Sequence, residues 1–163
     1  MSVGDTPSLA DIEAVSAQLG RPARDIVAIT ARCACTRPLV VATSPRLEDG
    51  TPFPTLYYLT QTAATQAASR LEAQGKMVEY QERLAEDDEA REAYEAAHES
   101  FLATREALGH VEEIEGISAG GMPTRVKCLH SLMAHALSVG PGVNPVGDWA
   151  LAETTWSKDV CAC

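Results

Sequence analysis

Two short segments rich in Val, Ile and Leu lie close together in the first third of the chain, at residues 26–30 and 39–43. The residues between them, 32–38, are too few to form a helix and end in proline. Apolar runs of this length with a short connection predict a β-hairpin. Cys33 and Cys35 both fall at the turn of that hairpin.

A third strand is predicted at residues 55–60, and a helix precedes the hairpin at residues 8–19. Successive side chains of a strand alternate, so Tyr57 and Tyr58 are expected on opposite faces, one in the core and one free to line a cleft. At the start of the first helix, Ser8 and the acidic residue three positions later form the pattern of a capping box.

From residue 63 onward, apolar residues recur at the spacing typical of helices. Helices are predicted over residues 63–74, 77–85, 87–108 and 123–139. A loop is predicted over residues 114–122, and turn-rich segments over residues 140–142 and 144–148. This order predicts an α+β fold, in which a small three-stranded sheet from the N-terminal third packs with several helices. We expect one domain over residues 1–155, followed by a tail at residues 156–163.

Composition narrows the class of protein. Hydrophobic residues make up 45% of the 163 residues, which suits a packed globule. No apolar run approaches the roughly 20 residues needed to cross a bilayer. Residues 1–5 lack the basic flank and apolar stretch of a secretory signal, so the cytoplasm is the expected compartment.

The net charge of −10 comes from one segment. Residues 79–115 contain 13 acidic and 3 basic residues, whereas the rest of the chain carries 10 of each. A broad basic face for nucleic acid is therefore not expected. The acidic helix is either a solvated face or a docking surface for a basic partner, and the second alternative would make the protein a non-catalytic interaction module.

The chain has five cysteines, and four of them form two Cys-x-Cys pairs. A disulfide within such a pair closes a strained ring, so a structural disulfide framework is not expected. Thiolate and imidazole are the preferred ligands of zinc and also bind iron–sulfur clusters. Cys161 and Cys163 lie within the last three positions, where chains usually fray, and are the weaker candidates for metal ligands.

The most compact predicted ligand set is Cys33, Cys35, Cys128 and His130, a site with three cysteines and one histidine. Zinc is favoured ahead of an iron–sulfur cluster, with a structural or regulatory role. Cys128 and His130 can bind one ion together only if the first turn of the helix that begins at Pro123 is open.

A thiol nucleophile is the alternative chemistry, with Cys128 and His135 as the predicted catalytic residues and His130 as another candidate base. Arg125 and Lys127 lie close to Cys128 in sequence, and neighbouring cations lower the pKa of a thiol. These two cations and the glycine-rich loop before them would bind an anionic substrate or cofactor, such as a phosphate or a carboxylate. A third interpretation is a small cysteine of the hydrophobic core.

Several longer phrases, spread over nearly the whole chain, resemble one protein family. They are residues 18–21, 32–35, 44–47, 51–60, 120–130, 134–135 and 140–145. Together they resemble the uncharacterised actinobacterial family DUF501, for which the resemblance implies no established activity.

The resemblance carries two further implications. Genes of the family tend to lie beside those of a septum-formation initiator protein and an exopolyphosphatase, which implies association only. The alternative of an interaction module that uses the acidic helix is the one linked to cell division. Relatives often have a cysteine just after the Tyr-Tyr-Leu-Thr phrase, where this chain has Gln61. If that cysteine is a ligand, a cluster here lacks one thiolate unless Cys161 or Cys163 supplies it, which disfavours iron–sulfur more than zinc.

Overall fold

A computed structural model describes residues 3–163 and contains one three-stranded antiparallel sheet in this part of the chain. Its strands, in spatial order, are β1 (Ile26–Arg32), β2 (Pro38–Thr43) and β3 (Tyr57–Leu59). All six residues of the central strand β2 are buried. The predicted α+β class and the three-stranded sheet are confirmed.

Six α-helices surround this sheet within residues 3–163. They are α1 (Leu9–Leu19), α2 (Thr62–Ala73), α3 (Lys76–Glu86), α4 (Asp88–Leu108), α5 (Leu129–Val139) and α6 (Pro145–Glu153). Helix α5 packs on the sheet and also contacts α2 and α6. None of these helices is both long and apolar enough to cross a membrane.

The hairpin turn between β1 and β2 has a defined geometry. The amide of Thr36 donates to the carbonyl of Cys33 at 2.8 Å, and the amide of Cys33 donates to the carbonyl of Arg37 at 2.9 Å. Thr36 adopts a left-handed conformation, with φ of 75°. A turn followed by one left-handed residue is typical of three-residue hairpin loops.

The two tyrosines of β3 lie on opposite faces, as predicted. Tyr57 is 3% exposed and packs in the core, whereas Tyr58 is 36% exposed. The ring of Tyr57 meets the ring of Phe101 from α4 edge-on, with centroids 5.7 Å apart. This contact joins the sheet to the long acidic helix.

The helix predicted from Pro123 begins later than expected, at Leu129 with Cys128 as its N-cap. Before it, the backbone folds into tight turns in which the amides of Arg125 and Lys127 donate to the carbonyls of Gly121 and Gly120, each at 2.8 Å. These bonds draw the chain back on itself, so helical hydrogen bonding starts only after Cys128.

Helix α6 lies in a segment predicted to consist of turns. The Asn144 side chain accepts a hydrogen bond from the Gly147 amide at 3.0 Å, and Pro145 occupies the first helical position. Asparagine as N-cap followed by proline starts a helix as readily as it starts a turn. A side chain at position 147 would meet the Leu132 carbonyl at 2.3 Å, so glycine permits the close packing of α6 on α5.

Helix α1 is anchored to the end of β1 by Asp11. The predicted capping box is present, because the Asp11 carboxylate accepts from the Ser8 amide at 3.0 Å and the Ser8 hydroxyl accepts from the Asp11 amide at 3.1 Å. The same carboxylate accepts two hydrogen bonds from the Arg32 guanidinium, at 2.8 and 3.0 Å. Arg32 also donates to Asp5 at 2.9 Å.

We expect Asp11→Asn to lower the free energy of unfolding by about 2 kcal/mol at pH 7, because the variant loses a charged partner of a bidentate arginine. Hydrogen bonds from Arg32 hold the pKa of Asp11 well below its ordinary value of 3.8. The stabilisation is therefore complete above about pH 4 and is lost as the pH falls toward the folded-state pKa. Urea unfolding at pH 7 and pH 3 should show the difference from wild type narrowing at the lower pH.

The matched control is Asp5→Asn, because this exposed carboxylate contacts the same guanidinium. It should cost less than about 1 kcal/mol, as expected for an exposed ion pair. Equal losses in the two variants, or a difference that does not change with pH, would contradict the anchoring role of Asp11.

Candidate functional site

Four cysteines converge at the hairpin turn. The sulfur atoms of Cys33, Cys35, Cys161 and Cys163 all lie within 4.8 Å of one another. Cys33 is buried beneath the turn, and the other three are exposed. We refer to these four residues as the cysteine tetrad. Sulfur atoms gathered at this spacing can surround a single metal ion.

The end of the chain reaches the hairpin through polar contacts. The amide of Ala34, inside the turn, donates to the carbonyl of Lys158 at 3.0 Å. The side-chain amide of Gln61 donates a hydrogen bond from Nε2 to Cys163 Sγ at 3.5 Å. The Gln61 oxygen accepts from the Ala64 amide at 2.7 Å and so caps α2. The residues predicted to form a fraying tail thus lie against the turn and the start of a helix.

The thiols of the tetrad differ in acidity. A hydrogen bond from the backbone at Arg37 lowers the pKa of Cys35 to about 7 from an ordinary value of 9.0. Loss of hydration and the neighbouring sulfur atoms raise the pKa of Cys163 to about 12. A bound cation would have to displace protons from the less acidic thiols, so binding of metal is expected to release protons.

A second cluster lies at the other end of α2. Cys128, His130 and Glu72 each offer one ligand atom within 4.8 Å of the other two. A Glu72 carboxylate oxygen accepts from the Leu129 amide at 2.8 Å and lies 3.3 Å from His130 Nδ1. Ser69 Oγ lies 3.1 Å from His130 Nε2, so both ring nitrogens have partners. We refer to Glu72, Cys128 and His130 as the thiol triad.

The triad favours charge separation between sulfur and imidazole. Burial raises the pKa of Cys128, but hydrogen bonds with His130 and Ser131 outweigh burial and lower it from its ordinary value. The pKa of His130 is raised, chiefly by its hydrogen bond with Cys128 and further by the charge of Glu72. Cys128 is also the N-cap of α5, where the helix dipole stabilises an anion.

Cys128 and His130 line a cavity of about 440 Å³. Its walls come from β3, the end of α1 and the start of α5, and Tyr58, Leu59, Gln18 and Ser131 contribute to them. Apart from the triad members, its lining contains no acidic or basic side chain. A cavity of this size accommodates a small organic ligand.

The structure distributes the predicted metal ligands over two clusters. Cys33 and Cys35 join Cys161 and Cys163, whereas Cys128 and His130 join Glu72. No group of ligand atoms within residues 3–163 combines the two predicted pairs. The late start of α5 does provide the open first turn that brings Cys128 and His130 together. Glu72 was not predicted from the sequence, and Cys161 and Cys163 were predicted only as the weaker candidates.

His135, predicted as a catalytic base, lies in the core. It is 1% exposed and stacks on Tyr57 with ring centroids 5.4 Å apart. Because the Asn144 oxygen already caps α6, its amide nitrogen donates to His135 Nδ1 at 3.1 Å. The proton therefore resides on Nε2, which has no hydrogen-bond partner within the described chain. Burial lowers the pKa of His135 to about 4.

Arg125 and Lys127, predicted to bind an anion, are exposed and do not line the Cys128 cavity. Their backbone groups instead close the turns before α5, and the Arg125 carbonyl accepts from Tyr94 at 2.8 Å. The acidic residues of segment 79–115 are all exposed. Exposure of this kind fits a solvated face, and the proposed docking of a basic partner stays a prediction.

Residues 29–152 match the family model described as "Protein of unknown function (DUF501)". The chain belongs to the DUF501 family. No curated protein and no solved structure matches the chain. The matched region includes the hairpin cysteines, Gln61 and the thiol triad, and it ends before Cys161 and Cys163.

The buried histidine generates a pH-dependent prediction. The pKa of His135 is about 4 in the folded protein and 6.5 when unperturbed. The unfolded state binds the extra proton first, so stability falls as the pH drops from 6.5 to 4, by roughly 3 kcal/mol. His135→Leu should remove most of this slope in chemical denaturation measured between pH 4 and 7.

The control is His110→Leu, which removes an imidazole from the exposed surface and leaves the core intact. A slope that persists in His135→Leu would show that another group is responsible.

Proposed function

We propose that the protein is a metal-binding protein whose centre is the cysteine tetrad, and that this centre holds one zinc ion in a structural or regulatory role. The convergence of four sulfur atoms from two distant parts of the chain carries the proposal. Cys33 and Cys35 retain their predicted role as ligands. Cys161 and Cys163 take the positions that were predicted for Cys128 and His130.

The compactness of the tetrad favours a mononuclear ion. Four thiolates around zinc lie about 2.3 Å from the metal, which places tetrahedral sulfur atoms about 3.8 Å apart. The tetrad satisfies this with modest side-chain adjustment, since its sulfur atoms are within 4.8 Å of one another. An iron–sulfur cluster with several irons distributes its cysteines over different irons and separates the sulfur atoms further.

A structural role follows from what the ion would connect. The residues from Thr154 onward lie outside any helix or strand, and Trp156 packs at the edge of the core. One ion would link this segment to the turn of the hairpin, which is fixed by its own backbone hydrogen bonds. Because structural metal binding adds directly to folding free energy, the ion would secure a segment with little core of its own.

A regulatory role is favoured by the exposure of the ligands. Cys35, Cys161 and Cys163 are all exposed, whereas only Cys33 is buried. Exposed thiolates are open to oxidants and to competing chelators. The same centre would therefore release its metal, and the end of the chain with it, under oxidising conditions.

Metal analysis of the anaerobically purified protein should find one zinc per chain and no visible absorption of an iron–sulfur chromophore. Cys33→Ser and the double variant Cys161→Ser/Cys163→Ser should each lose the metal, because thiolate is replaced by a poor ligand at the tetrad. Cys128→Ser is the matched control and should retain one zinc ion per chain.

Wild-type protein that contains no metal and binds none from added zinc would end the proposal. Loss of metal in Cys128→Ser would instead favour the ligand set that joins Cys33 and Cys35 to Cys128 and His130. A bound iron chromophore would replace zinc with iron at the tetrad.

The structural role has a separate test at Lys158, whose carbonyl is held by Ala34. Trypsin should cleave after Lys158 roughly tenfold faster once a chelator has removed the ion, because loss of a ligand exposes the segment it orders. Cys33→Ser should be cleaved at the fast rate with or without chelator. Cleavage that is equally fast in zinc-loaded and chelated wild type would exclude the structural role.

A further inference from the structure

Beyond the metal centre, we infer that Glu72, Cys128 and His130 form a nucleophilic thiol site that accepts an uncharged acyl group, as an ester or thioester, in the cavity beside β3. The inference is independent of the tetrad, since the two clusters share no residue. Of the two bases that the sequence offered it selects His130 over His135, and it differs from the sequence-based hypothesis in the charge of the substrate.

The geometry provides the three roles that thiol catalysis requires. Cys128 supplies the nucleophile, and His130 is the base, with a ring nitrogen within 4.8 Å of the sulfur atom. Glu72 is the positioning residue, because one of its oxygens contacts His130 Nδ1 while holding the Leu129 amide. A nucleophile, a base and a group that orients the base are the arrangement found in hydrolases of unrelated folds.

The base is held in place from both sides. Ser69 Oγ contacts His130 Nε2 at 3.1 Å, and Glu72 contacts Nδ1 at 3.3 Å. Both partners belong to α2, whereas Cys128 and His130 belong to the start of α5. The packing of α2 against α5 thus fixes the ring relative to the sulfur without help from His135.

The cavity determines the class of substrate. It is an open cavity of about 440 Å³ next to Cys128, and its lining carries no lysine or arginine that could pair with a phosphate or carboxylate. The one lining group that can carry a positive charge, His130, is already paired with Glu72. Leu19 and Tyr58 present apolar surface, whereas the side chains of Gln18, Thr60 and Ser131 already make hydrogen bonds within the protein. This lining suits a small neutral acyl group.

The proposed reaction conserves all atoms and needs no oxidant or reductant. The Cys128 thiolate attacks the carbonyl carbon, a carbon–sulfur bond forms, and the bond to the leaving oxygen or sulfur breaks. The His130 imidazolium gives its proton to that leaving group. Neutral His130 then takes a proton from water, whose oxygen attacks the acyl-cysteine, and the carboxylic acid and the thiolate are released.

The position of Cys128 also assists the attack. It is the N-cap of α5, an 11-residue helix, so charge develops at the positive end of the helix dipole. Hydrogen bonds with His130 and Ser131 lower the pKa of Cys128 from its ordinary value of 9.0, although burial opposes them. The thiolate is therefore available at a lower pH than in a free cysteine.

The first test is alkylation of the zinc-loaded full chain with iodoacetamide, followed cysteine by cysteine by mass spectrometry. The alkylation rate of Cys128 should rise with pH along a curve whose midpoint lies below pH 9. His130→Gln should shift that midpoint to higher pH and slow the alkylation at pH 7 roughly tenfold. An unchanged profile in His130→Gln would overturn the pairing of thiol and imidazole.

The second test uses 4-nitrophenyl acetate, an uncharged ester, as the probe. Wild type should release a burst of one nitrophenolate per chain and carry an acetyl group on Cys128, and Cys128→Ala should show neither. Cys128→Ala should still bind one zinc ion at the cysteine tetrad, so that failure of the metal proposal and failure of this one remain distinguishable. A burst that survives in Cys128→Ala would overturn the site.

Three further measurements test the details of the site. The charge of Glu72 raises the pKa of His130. In Glu72→Gln the imidazolium should therefore lose its proton at a lower pH, and turnover of the ester should decline at a lower alkaline pH than in wild type. Glu72→Asp should restore part of this pH profile. A second zinc per chain that is lost in Cys128→Ala would assign the triad to metal binding instead. Equal acylation by an ester with an anionic acyl group would contradict the neutral specificity.

Discussion

The hairpin formed by β1 and β2 is the constraint on which the other features depend. Its turn is closed by backbone hydrogen bonds between Cys33 and Arg37 and between Thr36 and Cys33. These bonds hold the buried thiol of Cys33 and the exposed thiol of Cys35 at the turn, and they leave the Ala34 amide free to bind Lys158. Strand β2 is buried along its whole length, so the turn is attached to a strand that is fixed in the core.

Much of the fold could be predicted because its signals are local. Short runs rich in β-branched and other apolar residues identified the hairpin and β3, and the side-chain cap of α1 was visible as Ser8 with Asp11. The two errors concern segments in which one local signal has two outcomes. Asn144 with Pro145 starts a helix here rather than a turn, and Pro123 precedes backbone turns rather than the first turn of α5.

The candidate sites were harder to predict because their partners are distant in sequence. The pairs Cys33–Cys35 and Cys128–His130 were recognised from spacing alone, and each does lie in a cluster of potential ligands. Spacing does not reveal which distant residue completes a cluster, however. Glu72 carried no signal among 23 acidic residues, and the terminal cysteine pair was discounted because chain ends usually fray.

Helix α2 separates the two kinds of sulfur chemistry. Gln61, its N-cap, contacts Cys163, whereas Glu72 near its other end belongs to the triad. Eleven residues of helix correspond to about 16 Å, far more than a disulfide can bridge. Oxidation at the chain end can therefore cross-link neighbouring sulfur atoms there while Cys128 stays a free thiol. The length of α2 thus prevents disulfide exchange between the two sites.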